Sequence, residues 1–299
     1  MHAGATVEPA TDAPPVRKRL EMLTHVEDDA VPAQPMPDVQ GSADSRNVAI
    51  DKVGVRDIRY PITLHNPQTG GNQSTVAVVN MYVGLPHHQK GTHMSRFLEV
   101  LNAHHESIRS DEVMQITRDM QRRLEAEEAH LELTFPYFID KPAPVSRQVG
   151  KIDIEVTLEC SSNHVDDMVL GIKVPATSLC PCSKEISEYG AHNQRCEMEV
   201  RVRFAQGKKM WIEELFQLVE QGASTQVFAV LKRPDEKYVT EAAYDKPKFV
   251  EDIVRDLAIA LDDEKRVVWY EVKSTNYESI HNHNAYAFIK RDKREGQRP

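Results

Sequence analysis

Ser178-Leu179-Cys180-Pro181-Cys182-Ser183-Lys184-Glu185-Ile186-Ser187-Glu188-Tyr189-Gly190-Ala191-His192-Asn193-Gln194-Arg195 is the stretch around which the rest of the chain falls into order. Val174-Pro175 introduces it, Ser183-Lys184 follows, and Ala191-His192 comes eight residues after the serine. The first half of the chain carries the same markers: Leu85-Pro86, then Ser95-Arg96, then Ala103-His104, again eight residues after the serine. A short match that falls at the same place in both halves points to a duplicated unit.

Working outward, residues 55–64 and 74–85 are β-rich runs separated by Asn66-Pro67-Gln68-Thr69-Gly70-Gly71-Asn72, which reads as a hairpin with a long loop. Helical patterns follow at 95–107 and 111–128, the second with Val113, Ile116, Met120 and Leu124 at helical spacing and Asp111 placed to cap it. Residues 131–139, 151–160 and 168–174 read as strands, 211–221 and 248–261 as helices, and 266–274 and 284–290 as two last strands. Strand, strand, helix, helix, strand, strand thus occurs twice, an α+β pattern. The expected organisation is a disordered extension over 1–46, units at 47–149 and 150–290, and a frayed tail over 291–299. Prolines at 9, 14, 15, 32, 35 and 37 and the lack of any period argue for the disordered extension.

Composition narrows the partners. The 299 residues carry 37 Lys and Arg against 46 Asp and Glu, a net charge of −9, so nucleic acid is not an expected partner. No apolar run approaches the roughly 18 residues of a membrane span, which leaves no membrane role expected. The start Met1-His2-Ala3-Gly4-Ala5 has neither the basic nor the apolar part of a secretory signal, and four cysteines make no disulfide framework at this length. A reduced, cytoplasmic protein is expected.

Several clusters can carry chemistry. Cys180 and Cys182 sit one residue apart, with His192 twelve residues after the first. Thiolate and imidazole select Zn²⁺ and its neighbours, and a catalytic metal needs an incomplete protein shell, because an open position must hold water. The plain alternative is two buried cysteines and a surface histidine. Glu278-Ser279-Ile280-His281-Asn282-His283 places two histidines on one face of an extended chain, or is simply a polar loop. The acidic run Arg233-Pro234-Asp235-Glu236-Lys237-Tyr238-Val239-Thr240-Glu241 and the later Glu251-Asp252 supply carboxylates, unless they merely complement helix dipoles. Lys90, His93 and Arg96 surround Gly91 at a helix entry that suits phosphate oxygens. The P-loop, the dinucleotide fingerprint and the serine-hydrolase elbow are all absent from the sequence. Cys160 and Cys196 read as packing residues.

Lys-Gly-Thr-His-Met-Ser-Arg-Phe at 90–97, Ser-Leu-Cys-Pro-Cys-Ser-Lys at 178–184, Gly-Ala-His-Asn-Gln-Arg at 190–195, Arg-Pro-Asp-Glu-Lys at 233–237 and His-Asn-His-Asn-Ala-Tyr-Ala at 281–287 together resemble the GTP cyclohydrolase type IB family. The likeness covers about residues 48–290. It implies a tunnelling fold (T-fold), with two tandem ββααββ units whose antiparallel sheets form a barrel between subunits, and a homo-oligomer, in that family a tetramer. It further implies hydrolysis of GTP to formate and 7,8-dihydroneopterin triphosphate, the first step of folate biosynthesis. Carbon 8 of guanine must be attacked by hydroxide, and a divalent metal lowers the pKa of a bound water from 15.7 toward about 7.

By that resemblance Cys180 and His192 hold the metal, with Glu236 and His281 completing the set and His283 as proton donor or alternative ligand. Zn²⁺, Mn²⁺ or Fe²⁺ would suit such donors. Glu251 is the carboxylate expected on guanine, with Glu241 the second choice, and Lys90, Arg96, Lys184 and Arg195 are the cations available to the triphosphate. Two rivals stay open at this point. One is a T-fold nitrile reductase of queuosine biosynthesis, in which Cys180 would be a covalent nucleophile with NADPH as reductant. The other is a binding module stabilised by zinc, whose shell Cys180, Cys182, His192 and another ligand would close.

Overall fold

The computed structural model describes residues 37–65, 70–104, 112–163 and 165–294. Most of the expected 1–46 extension, the proposed cap Asp111 and residues 295–299 lie outside them. The chain divides into units 1–39 and 40–299, and the second holds every strand and helix of the described residues.

Residues 40–44, within the expected extension, are bonded to residues 88–91. Ala43 bridges Gln89, and the amides of Asp44, Lys90 and Gly91 bond to the carbonyls of His88, Ser42 and Gln40 at 3.0, 3.1 and 3.1 Å. These bonds hold residues 40–44 to the loop that carries Lys90.

The strands are β1 (Ile50–His65), β2 (Asn72–Leu85), β3 (Ala129–Pro142), β4 (Val149–Ser162), β5 (Asp167–Leu179), β6 (Asn193–Phe204), β7 (Thr225–Gln226), β8 (Val267–Asn276) and β9 (Ala285–Asp292). The helices are α1 (Met94–Ala103), α2 (Val113–Arg123), α3 (Pro181–Ile186), α4 (Ile212–Val219), α5 (Arg233–Asp245) and α6 (Val250–Asp263). Every pairing is antiparallel, in the order β1-β2-β3-β4-β5-β6-β8-β9, with β7 paired to β5. The fold is therefore an antiparallel α+β sheet.

Period-two burial decides which face packs. In β2, Ala77, Val79, Met81 and Val83 are buried while Val76 and Val78 are exposed. The buried face meets the helices. Val113, Ile116 and Met120 of α2, and Ile253, Val254, Leu257 and Leu261 of α6, recur at helical spacing and join one core with the sheet. Each large apolar side chain buried in this way contributes about 1.5–3 kcal/mol. The other face is a charge ladder, with Arg201 on Glu159 and Glu271 at 2.5 and 2.7 Å, Arg203 on Asp167 at 2.8 Å and Lys273 on Glu199 at 2.7 Å. Gly54 in β1 admits no side chain, because a Cβ there would lie 1.9 Å from the Met81 carbonyl oxygen.

Three elements differ from the sequence expectation. The strand expected over 168–174 runs on to Leu179, because beyond Lys173, the last β5 residue paired with β4, the chain keeps its ladder to β6 and Pro175 is accommodated there. β6 itself follows the Cys/His stretch directly. The acidic run is helix α5, begun by Pro234 in its first turn and capped by Asp235, which accepts the Lys232 amide at 2.8 Å. The expected unit border at 149/150 falls at the β3–β4 hairpin, whose ladder is paired from Ala129↔Ser162 to Pro142↔Val149.

Candidate functional site

β5 ends at Leu179 and β6 begins at Asn193, and these two residues pair, so residues 180–192 form a closed excursion from the sheet. Within it the Cys180 amide donates to the His192 carbonyl at 3.1 Å. Ser183 stitches both sides, its hydroxyl donating to the Cys180 carbonyl at 3.1 Å and accepting the His192 amide at 3.2 Å. Cys180 is the N-cap of α3, and its sulfur accepts the Ser183 amide at 3.5 Å. Cys180 and His192 are half-buried and Cys182 is exposed.

The imidazole of His192 is oriented. Its Nδ1 lies 3.0 Å from Gln194 Oε1 and 3.2 Å from Ser279 Oγ. An amide oxygen only accepts, so Nδ1 carries the proton and the lone pair is left on Nε2. A histidine fixed at one nitrogen by a second residue is the usual arrangement of a metal ligand. Thiol and oriented imidazole therefore fit a divalent metal. Neither Ser183, Gln194 nor Ser279 is assigned a role from sequence, although all three lie inside the motifs. Their work depends on side-chain direction, which spacing does not report.

The other expected ligands are placed less closely. His281 and His283 are exposed and stacked, ring centroids 5.0 Å apart, on the segment that carries Ser279. Glu236 is exposed in the first turn of α5. Among the described residues no three His, Cys, Asp or Glu side chains come together as a metal site. Glu251 is exposed in the first turn of α6, while Glu241 is ion-paired with Lys237 at 2.5 Å along α5.

Of the expected phosphate ligands, Lys184 donates to the Tyr244 carbonyl at 2.6 Å and sits 4.2 Å above that ring. Arg195 and Lys90 are exposed and Arg96 is half-buried. Burial pushes the Cys160 and Cys196 thiols up to about 12, which keeps them protonated and agrees with their packing role. Asp235 is fully buried; burial alone would raise its pKa. The hydroxyl and amide of Ser146 and the amides of Lys232 and Val145 outweigh that and hold it well below the usual range. Asp235 thereby pins the start of α5, next to Glu236, to the 143–148 turn.

Known proteins resemble this chain over most of its length. The chain is 54% identical over 267 residues to GTP cyclohydrolase FolE2 2 of Dechloromonas aromatica, covering 89% of this chain and 97% of the relative. It is 52% identical over 263 residues to GTP cyclohydrolase FolE2 of Nitrosomonas eutropha, covering 87% and 97%. It is 54% identical over 256 residues to the same-named protein of Magnetococcus marinus, covering 85% and 96%. Among solved structures, the uricase of Bacillus fastidious matches at a TM-score of 0.48 and 8% identity, covering 84% and 95%. That of Arthrobacter globiformis matches at 0.46 and 8%, covering 83% and 95%. Residues 36–287, which take in both halves and every candidate site residue, match the family described as type I GTP cyclohydrolase folE2, and the chain belongs to that family.

Proposed function

We propose that this chain hydrolyses GTP to formate and 7,8-dihydroneopterin triphosphate, the entry reaction of tetrahydrofolate biosynthesis. The observation that carries the reading is the Cys180 and His192 pair, closed by its own backbone bond and with the imidazole turned by Gln194. A divalent metal, Zn²⁺ or alternatively Mn²⁺ or Fe²⁺, would be held there and would supply activated water at neutral pH.

The chain's own residues do the rest. Cys180 and His192 Nε2 provide two ligands, and His281 and Glu236 complete the set. His283 delivers a proton to the imidazole ring of guanine as it opens. Glu251 accepts the guanine N1–H and exocyclic amine, with Glu241 second because Lys237 already occupies it. Lys90, Arg96, Lys184 and Arg195 offer positive charge to the triphosphate.

Closing the site involves a second copy of the chain. Among the described residues β1 pairs only with β2, and β9 only with β8, so both sheet edges can take a further strand. Near the site Ile186, Tyr189 and Ile280 are 83%, 97% and 62% exposed, which suits a subunit seam. We read a homotetrameric T-fold barrel with the site at the seam, built from two tandem ββααββ units. No helix among the described residues is long and apolar enough to cross a membrane, and a cytoplasmic location is part of the same proposal.

The test is direct. Purified protein incubated with GTP and a divalent metal should release formate and a pterin that fluoresces after oxidation. NADPH-dependent nitrile reduction without pterin would favour the reductase instead.

A further inference from the structure

Three segments meet below the site, and each leads to a different part of it. Ser178, fully buried, lies two residues before Cys180 at the end of β5. Its hydroxyl donates to the Lys248 carbonyl at 3.0 Å and accepts from Asn276 Nδ2 at 3.1 Å. Lys248 stands just ahead of α6, and its amide donates to the Leu179 carbonyl at 3.0 Å, so β5 and the entry to α6 are joined by two bonds side by side. Three residues beyond Lys248 is Glu251. Asn276 ends β8, is 3% exposed, and precedes the segment with Ser279, His281 and His283. The Tyr277 amide then donates to the Arg195 carbonyl at 2.9 Å.

The hydroxyl is thus used twice. A serine can donate one hydrogen bond and accept another, and here each goes to a segment distant in sequence. Asn276 Oδ1 has no protein partner among the described residues, so the bond to Ser178 fixes the amide's orientation. Removing the hydroxyl would deprive the buried Nδ2 and the Lys248 carbonyl of this partner at once.

We propose that Ser178 is a positioning residue that holds the metal-ligand end of β5, the purine-anchoring start of α6 and the histidine segment after β8 in one mutual register. It touches neither substrate nor metal and acts through Cys180, Glu251 and His281. The proposal rests on the reading of the chain as a metal-dependent GTP cyclohydrolase and deepens it, by naming what couples the metal half of the site to the purine half.

The test uses the full-length, metal-loaded enzyme, with metal affinity read by competition against a chromophoric chelator and kcat and KM read separately. Ser178→Ala should weaken metal binding about tenfold and raise KM for GTP about tenfold, while Ser178→Thr, which keeps the hydroxyl, should return both to within about threefold of wild type. Asn276→Ala leaves the bond from Ser178 to Lys248 in place, so it should weaken metal binding while moving KM less. Ser178→Ala with wild-type metal affinity and KM, and only a lower Tm, would reduce Ser178 to a structural role and overturn the proposal. Should Ser178→Ala fail to fold, wild-type metal affinity in Asn276→Ala overturns it equally. Cys180→Ala separates the two levels. If that variant keeps full metal content and turnover, the metal is not held at Cys180 and the site on which the proposal rests is misplaced; if it is inactive while Ser178→Ala is normal, only the positioning role falls.

Discussion

The Cys180 amide donates to the His192 carbonyl at 3.1 Å, which makes neighbours of two residues twelve apart in sequence through backbone chemistry alone. The two residues therefore close one loop at its base, which is why they are proposed to share an ion.

Cys180→Ala should abolish turnover and strip bound metal, whereas Cys182→Ala, altering an exposed side chain, should reduce activity less completely. Metal analysis alongside a pterin assay checks both. A chelator should silence the enzyme and leave its circular dichroism intact; unfolding on chelation would favour the structural-zinc module.

Gln194→Leu removes the acceptor that fixes the His192 tautomer while keeping the volume of a buried side chain. Metal affinity should fall by about 10- to 100-fold with little change in fold. Unaltered affinity by chelator competition would mean that the imidazole is not a ligand through Nε2.

Glu251→Gln replaces one acceptor of the proposed purine anchor with a donor. Buried donors left unpaired cost about 1–3 kcal/mol each, so kcat/KM for GTP should drop roughly ten- to hundredfold, with metal content unchanged. If Glu241→Gln shows this effect instead, the purine anchor lies on α5.

Acid stability should depend on Asp235 and Glu264. Hydrogen bonds from Arg266 hold Glu264 down to about 2, and those from Ser146, Lys232 and Val145 hold Asp235 low against its burial. A carboxylate with a lowered folded pKa adds stability that is present above the ordinary value near 4 and is lost as the pH falls toward 2. Asp235→Asn should lower Tm at pH 7, and the gap to wild type should narrow at pH 3. A gap independent of pH would show that shape, not charge, is what the 143–148 turn requires.

Truncation should discriminate sharply within the N-terminal region. Removing residues 1–36 should leave activity unchanged, while removing 1–45 takes away the backbone partners of Lys90, Gly91 and His88 and should lower both Tm and activity. Equal behaviour of the two truncations would show that the 40–44 contacts contribute nothing.

Periodicity is enough to read the elements whose burial is simple. Val113, Ile116 and Met120 mark α2, and the alternation around Val79 marks β2. β6 alternates as well, with Cys196, Met198, Val200 and Val202 inward, but Glu197, Glu199, Arg201 and Arg203 make its other face look like a solvated segment. Those charges are matched by Lys173, Lys273, Glu159, Glu271 and Asp167 on neighbouring strands, and that matching exists only once the ladder has formed. The same holds for the site. Cys180 and His192 are visible in sequence because they share one loop, whereas Ser178, Lys248 and Asn276 are ordinary residues until the fold brings them together.

Separation along the chain also governs how the site comes apart. The Cys180 and His192 loop is closed locally by the Leu179↔Asn193 pair, but Lys248, Ser279 and Asn276 join from 70, 87 and 98 residues away. Local closure has a small entropic penalty, while distant segments stay docked only as long as the surrounding structure is intact. Under rising denaturant, protection from amide hydrogen exchange should therefore be lost first along 277–284 and last at Cys180, leaving the proposed Cys180 and His192 ligand pair together after the proposed purine side of the site has come apart.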